Sequence, residues 1–217
     1  MARPASSQFP CGVLDALKMQ PVKLLLEKEK SQVIEVSMVH DSRVRKVVKR
    51  YSNLLDADGY YREDYGRICN EISVMKNSSH PHVMKIDFAI HSQSDNSLLI
   101  CMPMCSRGTL SDQIHAGLDT YQIGVYFIQI ACGLRYLHDK RFIHGDVNPG
   151  NVFVDCSNNA ILADFGSSFI LPAGQDSVTT WGGTRGYVGP EFDNTNTPVN
   201  AFKVSFSVSS VHLLHLI

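Results

Sequence analysis

The 217-residue sequence predicts an α+β fold in two lobes, the first rich in strands and the second rich in helices. Short β-branched runs divided by turns fill the first half, whereas apolar residues recur at helical spacing in the second half. A proline-containing break near residue 103 separates the two patterns. The hydrophobic share of 44% and the charged share of 19% are typical of a globular chain with a buried core.

The strands of the first lobe follow a leader, residues 1–21, which we expect to be poorly ordered. Between residues 22 and 39, apolar residues flank a charged stretch, which predicts two strands joined by a turn. Residues 43–51 mix valines with basic residues and predict a third strand.

A helix is predicted next, because Ile68, Ile72 and Met75 recur at i, i+4 and i+7. It ends near Asn77, where a Ser-Ser-His-Pro break follows. Two further strands complete an antiparallel sheet, at 83–90 and 98–102.

The second lobe is predicted to contain one long helix that ends near residue 138. Its apolar face is formed by Ile123, Phe127, Ile130, Leu134 and Leu137. We place the first lobe at 22–102, a connector at 103–105, the second lobe at 106–203 and an apolar tail at 204–217.

Composition excludes several classes of partner. The formal net charge of −1 provides no general attraction to nucleic acid or to anionic membranes. The six cysteines are scattered, so we expect free thiols in a reducing compartment, either cytoplasm or nucleus. Residues 206–217 are too short and too rich in Ser and His to span a membrane.

The residues that indicate chemistry lie in the loops after the long helix. The run from His144 to Asn151 reads H-G-D-V-N-P-G-N, and Asp164 begins the triplet D-F-G. Phosphoryl transfer needs a carboxylate that orients the acceptor hydroxyl and oxygen ligands for Mg²⁺. Asp146, Asn151 and Asp164 supply groups of these kinds at suitable spacing.

This spacing resembles the H-R-D-x-x-x-x-N and D-F-G pattern of eukaryotic protein kinases. The resemblance implies a bilobal kinase fold that uses ATP and Mg²⁺ on a protein substrate. Asp146 would orient the acceptor hydroxyl, and Asn151 and Asp164 would hold the metal. Upstream, Val47-Val48-Lys49 resembles the strand lysine that binds the nucleotide phosphates, and Glu71 resembles the helix glutamate that pairs with it.

The resemblance also assigns an adenine pocket. Met102 is the expected gatekeeper, and the backbone carbonyl of Pro103 and the backbone N–H of Cys105 are expected to bind adenine. The apolar lining is expected from residues on both sides of the base: Ile34 and Val47 as roof and Phe153 as floor.

The segment from Gly183 to Glu191 resembles the end of a kinase activation segment. Thr184 matches the threonine that hydrogen-bonds near the catalytic aspartate in serine/threonine kinases, which favours that class over tyrosine kinases. Three hydroxyl residues before it are candidates for phosphorylation, with ordinary loop residues as the alternative: Ser177, Thr179 and Thr180.

Three features of the sequence depart from the family pattern. Where the glycine-rich loop would lie, the sequence has Glu27, Glu29 and Gln32, so the backbone cradle for phosphates is absent. Gly145 replaces the arginine that pairs with a phosphorylated activation loop. Asn148 replaces a lysine, and a neutral amide cannot offset the charge of the γ-phosphate.

The resemblance covers residues 24–192, and the helices that normally follow in a kinase do not continue in this sequence. We therefore expect a truncated domain, with the helix face that bears Phe127 and Leu134 partly uncovered and open to a partner. Lys203-Val204-Ser205 is compatible with an exon end and a splice donor, and chance coding is the alternative.

Two main hypotheses remain open from the sequence. The first is ATP-dependent phosphoryl transfer to protein Ser or Thr hydroxyls. The second is a pseudokinase that binds ATP or a partner as a scaffold, which the acidic loop and Asn148 favour. A small-molecule or sugar kinase is a third alternative, opposed by the segment from Thr184 to Glu191.

Overall fold

A computed structural model describes residues 11–56, 58–179, 184 and 198–203 of the chain. The chain divides into two compact units. The first comprises residues 1–65 and 85–104, and the second comprises residues 66–84 and 105–217. An antiparallel sheet dominates the first unit and helices dominate the second, which confirms the predicted α+β fold class.

The first unit is a five-stranded antiparallel sheet in the order β1-β2-β3-β5-β4. Its strands are β1 (Met19–Lys28), β2 (Ser31–Met38), β3 (Arg45–Tyr51), β4 (Phe88–Ser92) and β5 (Ser97–Pro103). The charged stretch of the sequence is the β1–β2 hairpin, in which Lys28 pairs with Ser31 across a two-residue turn. The predicted strands therefore form, with the fourth beginning later than expected.

A short helix, α1 (Cys11–Ala16), precedes the sheet. Leu14 on this helix is 0% exposed and packs in one cluster with buried residues of the sheet, among them Met19, Val48 and Leu99. The predicted disorder of the leader 1–21 is thus wrong from residue 11 onward. The physical reason is that burial of Leu14 against the sheet stabilises the helix, and a six-residue helix has no long periodic pattern to detect.

The second unit contains the longer helices, α2 (Tyr65–Asn77), α3 (Leu110–Ala116) and α4 (Thr120–Asp139). Thr109 and Asp112 form a reciprocal capping box at the start of α3, and the Asp119 side chain caps α4. We predicted α2 within the strand-rich lobe, whereas all of it after Tyr65 groups with the second unit.

Short antiparallel strand pairs follow α4. They are β6 (Phe142–Ile143) with β9 (Phe169–Ile170), β7 (Val152–Val154) with β8 (Ala160–Leu162), and β10 (Ser177–Val178) with β11 (Val199–Asn200). Two 3₁₀ helices lie among them, at Pro149–Asn151 and Phe165–Ser167. These elements bring both motif-bearing loops into the second unit.

The long helix α4 is packed more completely than predicted. Leu134 is 1% exposed, and Phe127 is half-buried. At Gly133, an added Cβ would lie 2.7 Å from the His82 carbonyl oxygen, so the helix approaches that backbone closely. The expected uncovered face is therefore wrong at Leu134, and the exposed apolar side chains of α4 are Tyr121 and Ile128.

Within the described ranges, no helix combines the length and the apolar character that crossing a bilayer requires.

We expect Leu14→Ala to lower the free energy of unfolding by about 2–5 kcal/mol, because it leaves a cavity in the core of the first unit. Leu25→Ala is the matched control, since the Leu25 side chain is 43% exposed on β1 and its removal leaves no cavity. Chemical denaturation of both variants measures the difference. Equal effects would show that α1 is not packed on the sheet.

Candidate active site

His144 anchors the loop that carries the catalytic motif. Its imidazole is fully buried, and Nε2 donates to the Ala163 carbonyl oxygen at 3.0 Å. The backbone N–H of Asp146 donates to Nδ1 at 3.3 Å, which assigns the neutral ring with its proton on Nε2. Burial lowers the pKa of His144 below its usual range, so the ring stays neutral and ties this loop to the strand before Asp164.

The Asp146 carboxylate is held by four hydrogen bonds. Oδ1 accepts from the Thr184 backbone N–H at 2.8 Å and from Asn148 Nδ2 at 3.1 Å. Oδ2 accepts from Asn151 Nδ2 at 2.9 Å and from Thr184 Oγ1 at 3.0 Å. An ionised carboxylate has about four acceptor positions, so these donors leave it one orientation.

Asn148 has a structural role that the sequence analysis missed. Its Oδ1 accepts from the Gly150 backbone N–H at 2.9 Å and caps the 3₁₀ helix Pro149–Asn151. Its Nδ2 meanwhile donates to Asp146. An amide can donate and accept at once, whereas the lysine expected from the family has no acceptor. The Asn-Pro-Gly sequence could have predicted the bond from the Gly150 N–H, because Asn is favoured at the N-cap position. It could not have predicted the bond from Asn148 to Asp146.

Asn151 and Asp164 supply oxygen atoms that suit a magnesium ion. Asn151 Nδ2 donates to the Asp146 carbonyl oxygen at 2.8 Å, so its amide nitrogen is the atom turned toward Asp146. The Ala163 N–H donates to the Asn151 carbonyl oxygen at 2.9 Å, which brings the two motifs side by side. Asp164 is exposed and has a φ of +57°, a left-handed backbone that non-glycine residues adopt mainly where function or packing requires it.

The composition of this donor set fits Mg²⁺ better than a transition metal. Mg²⁺ binds hard oxygen atoms, usually one or two protein groups together with waters and phosphate oxygens. Among the residues that the structure describes, no group of three His, Cys, Asp or Glu side chains forms a metal cluster. A carboxylate and an amide oxygen are ligands of the hard-oxygen kind that Mg²⁺ prefers.

Gly145 is required by its surroundings. Its φ is +81°, and an added Cβ would lie 2.2 Å from the Ser167 carbonyl oxygen. Any side chain at this position would collide with the backbone after the D-F-G triplet. The arginine that the family pattern places here is thus incompatible with this backbone, and its loss is part of how the two loops pack.

The sheet of the first unit places most of the predicted nucleotide-lining residues on one face. In the register, Lys49 pairs with Val33, and Val47 pairs with Met102. Residues directly opposite each other in antiparallel strands share a face, and alternate residues of one strand do too. Val33, Val47, Lys49 and Met102 therefore lie on the same face.

The expectation that Ile34 and Val47 together form a roof is corrected by this register. Ile34 pairs with Val48, and both are 0% exposed in the core beside α1. They occupy the face opposite to Val47. Val33 and Glu35 are the β2 residues that pair with Lys49 and Val47, so the expected roof residue is displaced by one position, and a one-residue shift reverses the face of a side chain.

The segment in place of the glycine-rich loop is a tight hairpin. Glu27 and Gln32 pair across it, and Gln32 Nε2 donates to Glu27 Oε1 at 2.8 Å. Glu27 and Glu29 are both exposed. The Glu27 carboxylate is therefore directed to a neighbour on the hairpin.

The remaining predicted residues fall in both units. Lys49 lies on β3 in the first unit, and Glu71 is 2% exposed on α2 in the second unit. Pro103 ends β5, Cys105 belongs to the second unit, and Phe153 lies on β7. The pairing of Lys49 with Glu71 and the roles of these residues in nucleotide binding stay predictions.

The predicted end of the activation segment is described at one residue. Thr184 contacts Asp146 as expected, whereas the rest of the run from Gly183 to Glu191 lies outside the described residues. Ser177 lies on β10, and Thr179 follows it. Thr180 lies outside the described residues.

Residues 29–204 match the protein kinase domain family, and the chain belongs to that family. The match includes both motif-bearing loops and the strand that carries Lys49. It confirms the resemblance on which the fold and the chemistry of the loops were predicted.

Several protein kinases are similar to this chain. NUAK family SNF1-like kinase 2 of Homo sapiens is 33% identical over 136 residues, 61% of this chain and 21% of its own length. Mitogen-activated protein kinase kinase 9 of Arabidopsis thaliana is 29% identical over 60% of this chain and 42% of its own length. Cell cycle serine/threonine-protein kinase CDC5/MSD2 of Saccharomyces cerevisiae is 28% identical over 58% of this chain and 18% of its own length. The match thus spans less than half of each relative.

We expect Gly145→Ala to destabilise the protein by about 1–3 kcal/mol, because the new methyl group meets the Ser167 carbonyl on a left-handed backbone. Gly124→Ala is the matched control. Gly124 lies within α4 with nothing within 4 Å of an added Cβ, so alanine should stabilise it by about 0.5–1 kcal/mol. Thermal melts of both variants test the opposite signs, and a stable Gly145→Ala protein contradicts the close approach.

Acid should destabilise the wild-type protein partly through His144. Its folded-state pKa lies below the unfolded value near 6.5, so below that pH the unfolded chain binds a proton that the folded chain does not. Stability should therefore fall as pH drops from about 7.5 to 5.5. His144→Gln keeps a donor and an acceptor but cannot titrate, and its melting temperature should fall less over this interval. Parallel slopes for the two proteins would exclude His144 as a source of the dependence.

Proposed function

We propose that this chain transfers the γ-phosphoryl group of ATP to serine or threonine hydroxyls of a protein substrate. The observation that carries the proposal is the Asp146 carboxylate, oriented by donors from Asn148, Asn151 and Thr184. A carboxylate fixed in this way suits the orientation of an acceptor hydroxyl and the acceptance of its proton.

The acceptor hydroxyl would bind at Asp146 by displacing one of its present donors. Thr184 Oγ1 is itself a hydroxyl at 3.0 Å from Oδ2, which shows that this oxygen accepts from an alcohol in suitable geometry. The neighbouring Thr184 N–H at 2.8 Å from Oδ1 would keep the carboxylate oriented during the exchange. This arrangement supports transfer to an alcohol, and the contact of Thr184 with Asp146 supports the serine/threonine class.

Asn151 and Asp164 would hold Mg²⁺ through the amide oxygen and the carboxylate. When bound, the metal would neutralise charge on the phosphate oxygens as the phosphoryl group moves. Lys49 would bind the α- and β-phosphates and Glu71 would pair with it. Val47 and Met102 lie on the face of the sheet that carries Lys49, which supports a nucleotide-lining role for them. Pro103, Cys105 and Phe153 complete the proposed adenine site.

A scaffold function is the second candidate, and it is favoured by the residues that replace phosphate-binding groups of the kinase pattern. The β1–β2 hairpin has Glu27 and Glu29 in place of glycines that would let backbone N–H groups approach phosphates, and losing one such hydrogen bond costs about 1–3 kcal/mol. Asn148 uses its amide on Asp146 and Gly150 and adds no positive charge. In this alternative the protein binds ATP or a partner protein without transfer.

We expect Asp146→Asn to reduce the transfer rate by about 10²–10⁴-fold, because the amide cannot accept the hydroxyl proton. It should leave the Mg·ATP-dependent rise in melting temperature intact. Radiolabel transfer to a mixed Ser/Thr peptide library measures the rate, and Asp58→Asn, an exposed carboxylate of the first unit, is the control.

The two candidate functions give different results in this experiment. Mg·ATP binding with equal transfer by the wild type and Asp146→Asn would contradict catalysis and support the scaffold. Asp164→Asn adds an independent arm, since it should abolish the magnesium dependence of the melting shift. A shift that needs no magnesium in the wild type would contradict the proposed metal site.

A further inference from the structure

Arg141 is a feature of the second unit that the proposed chemistry does not use. It directly precedes β6, and its φ of +63° places a long side chain on a left-handed backbone. Such a conformation costs free energy and persists where the surrounding contacts compensate for it. The contacts of the Arg141 side chain therefore indicate its role.

The Arg141 guanidinium binds a segment 30 or more residues later in the chain. Nε donates to the Leu171 carbonyl oxygen at 3.1 Å, and Nη2 lies 2.9 Å from the Pro172 carbonyl oxygen. Nη2 also contacts the Gln175 carbonyl oxygen and lies 3.1 Å from Asp176 Oδ1. In return, the Leu171 N–H donates to the Arg141 carbonyl oxygen at 3.0 Å. Three of these acceptors share the two hydrogens of Nη2 and Nε serves the fourth, so the guanidinium donates from two atoms of one plane, whereas a lysine ammonium donates from a single atom.

The same arginine also contacts a residue that lies just after the strand that pairs with this segment. β10 (Ser177–Val178) pairs with β11 (Val199–Asn200), and the Ala201 N–H donates to the Asp176 carbonyl oxygen at 2.9 Å. The Arg141 guanidinium carbon lies 5.5 Å from the centroid of the Phe202 ring. Beneath these contacts, Leu171 and Ala201 are buried with Ile143 in a small core. Arg141 thus joins two segments that are remote from each other in sequence.

The chemistry of the acceptors shows whether the contacts of Arg141 need a phosphate group. In the kinase pattern, the arginine before the catalytic aspartate binds a phosphorylated activation loop, and Gly145 cannot provide that group. Arg141 instead binds three backbone carbonyls and one carboxylate, all of which are present in the unmodified chain. We propose that Arg141 is a clamp that holds residues 171–178 and 198–203 together without phosphorylation. The clamp is a property of the fold and does not depend on catalytic activity.

Hydrogen exchange of the full chain tests the clamp. In Arg141→Gln, we expect exchange of the amides of residues 175–178 and 199–201 to accelerate by about ten- to a hundred-fold, because several bonds to a charged donor are lost. Arg141→Lys keeps the charge and one contact point, so its acceleration should be smaller. Exchange within α4, at Ile130, Leu134 and Leu137, should stay at the wild-type rate in both variants. Arg135→Gln, an exposed arginine on α4, is the matched control.

Phosphatase treatment tests whether the contacts of Arg141 require phosphorylation. The wild-type protein, freed of phosphate and checked by intact mass, should keep full protection of 175–178. The clamp is overturned if Arg141→Gln leaves this exchange unchanged, or if it accelerates exchange equally within α4. It is also overturned if phosphatase treatment alone removes the protection. Because the readout needs no phosphoryl transfer, an inactive enzyme would not obscure the result.

Discussion

The loops of the candidate site are held together by the hydrogen-bonded carboxylate of Asp146. Donors from Asn148, Asn151 and Thr184 converge on its two oxygens, and bonds to a charged acceptor each contribute about 1.5–3 kcal/mol. Thr184 lies 38 residues further along the chain, so its contact joins two positions that are remote from each other in sequence. Removing the negative charge would leave several donors without a strong acceptor, which makes this carboxylate structural as well as chemical.

The residues that depart from the kinase pattern lie in two places, the loop that carries Asp146 and the β1–β2 hairpin. Gly145 and Asn148 are built into the packing of the catalytic loop, since one admits the Ser167 carbonyl and the other caps a 3₁₀ helix while orienting Asp146. Glu27 and Glu29 affect the phosphate-binding side. The groups that would orient a hydroxyl are thus retained, as is Lys49, whereas the glycines that would let backbone N–H groups approach phosphates are replaced. The strength of nucleotide binding is therefore the quantity on which the enzyme and scaffold hypotheses differ most.

Arg141 and the small core beneath it explain how a segment with little regular structure keeps a defined path. Leu171 and Ala201 supply burial, and the guanidinium supplies donors for carbonyls that no helix or sheet would otherwise satisfy. Neutral carbonyl acceptors do not depend on a modification. This distinguishes the arrangement from a switch in which a phosphate creates the acceptor.

The sequence by itself determined the features that repeat locally. Apolar runs and helical periodicity predicted the hairpin, β3, α2 and α4, and the spacing of Asp146, Asn151 and Asp164 indicated the kinase family. Only the tertiary structure decided which face of the sheet Ile34 occupies, that Leu14 is buried, and that Arg141 binds a distant segment. A one-residue change in register reverses every side chain of a strand, and contacts across 30 residues leave no periodic trace, so local patterns cannot specify them.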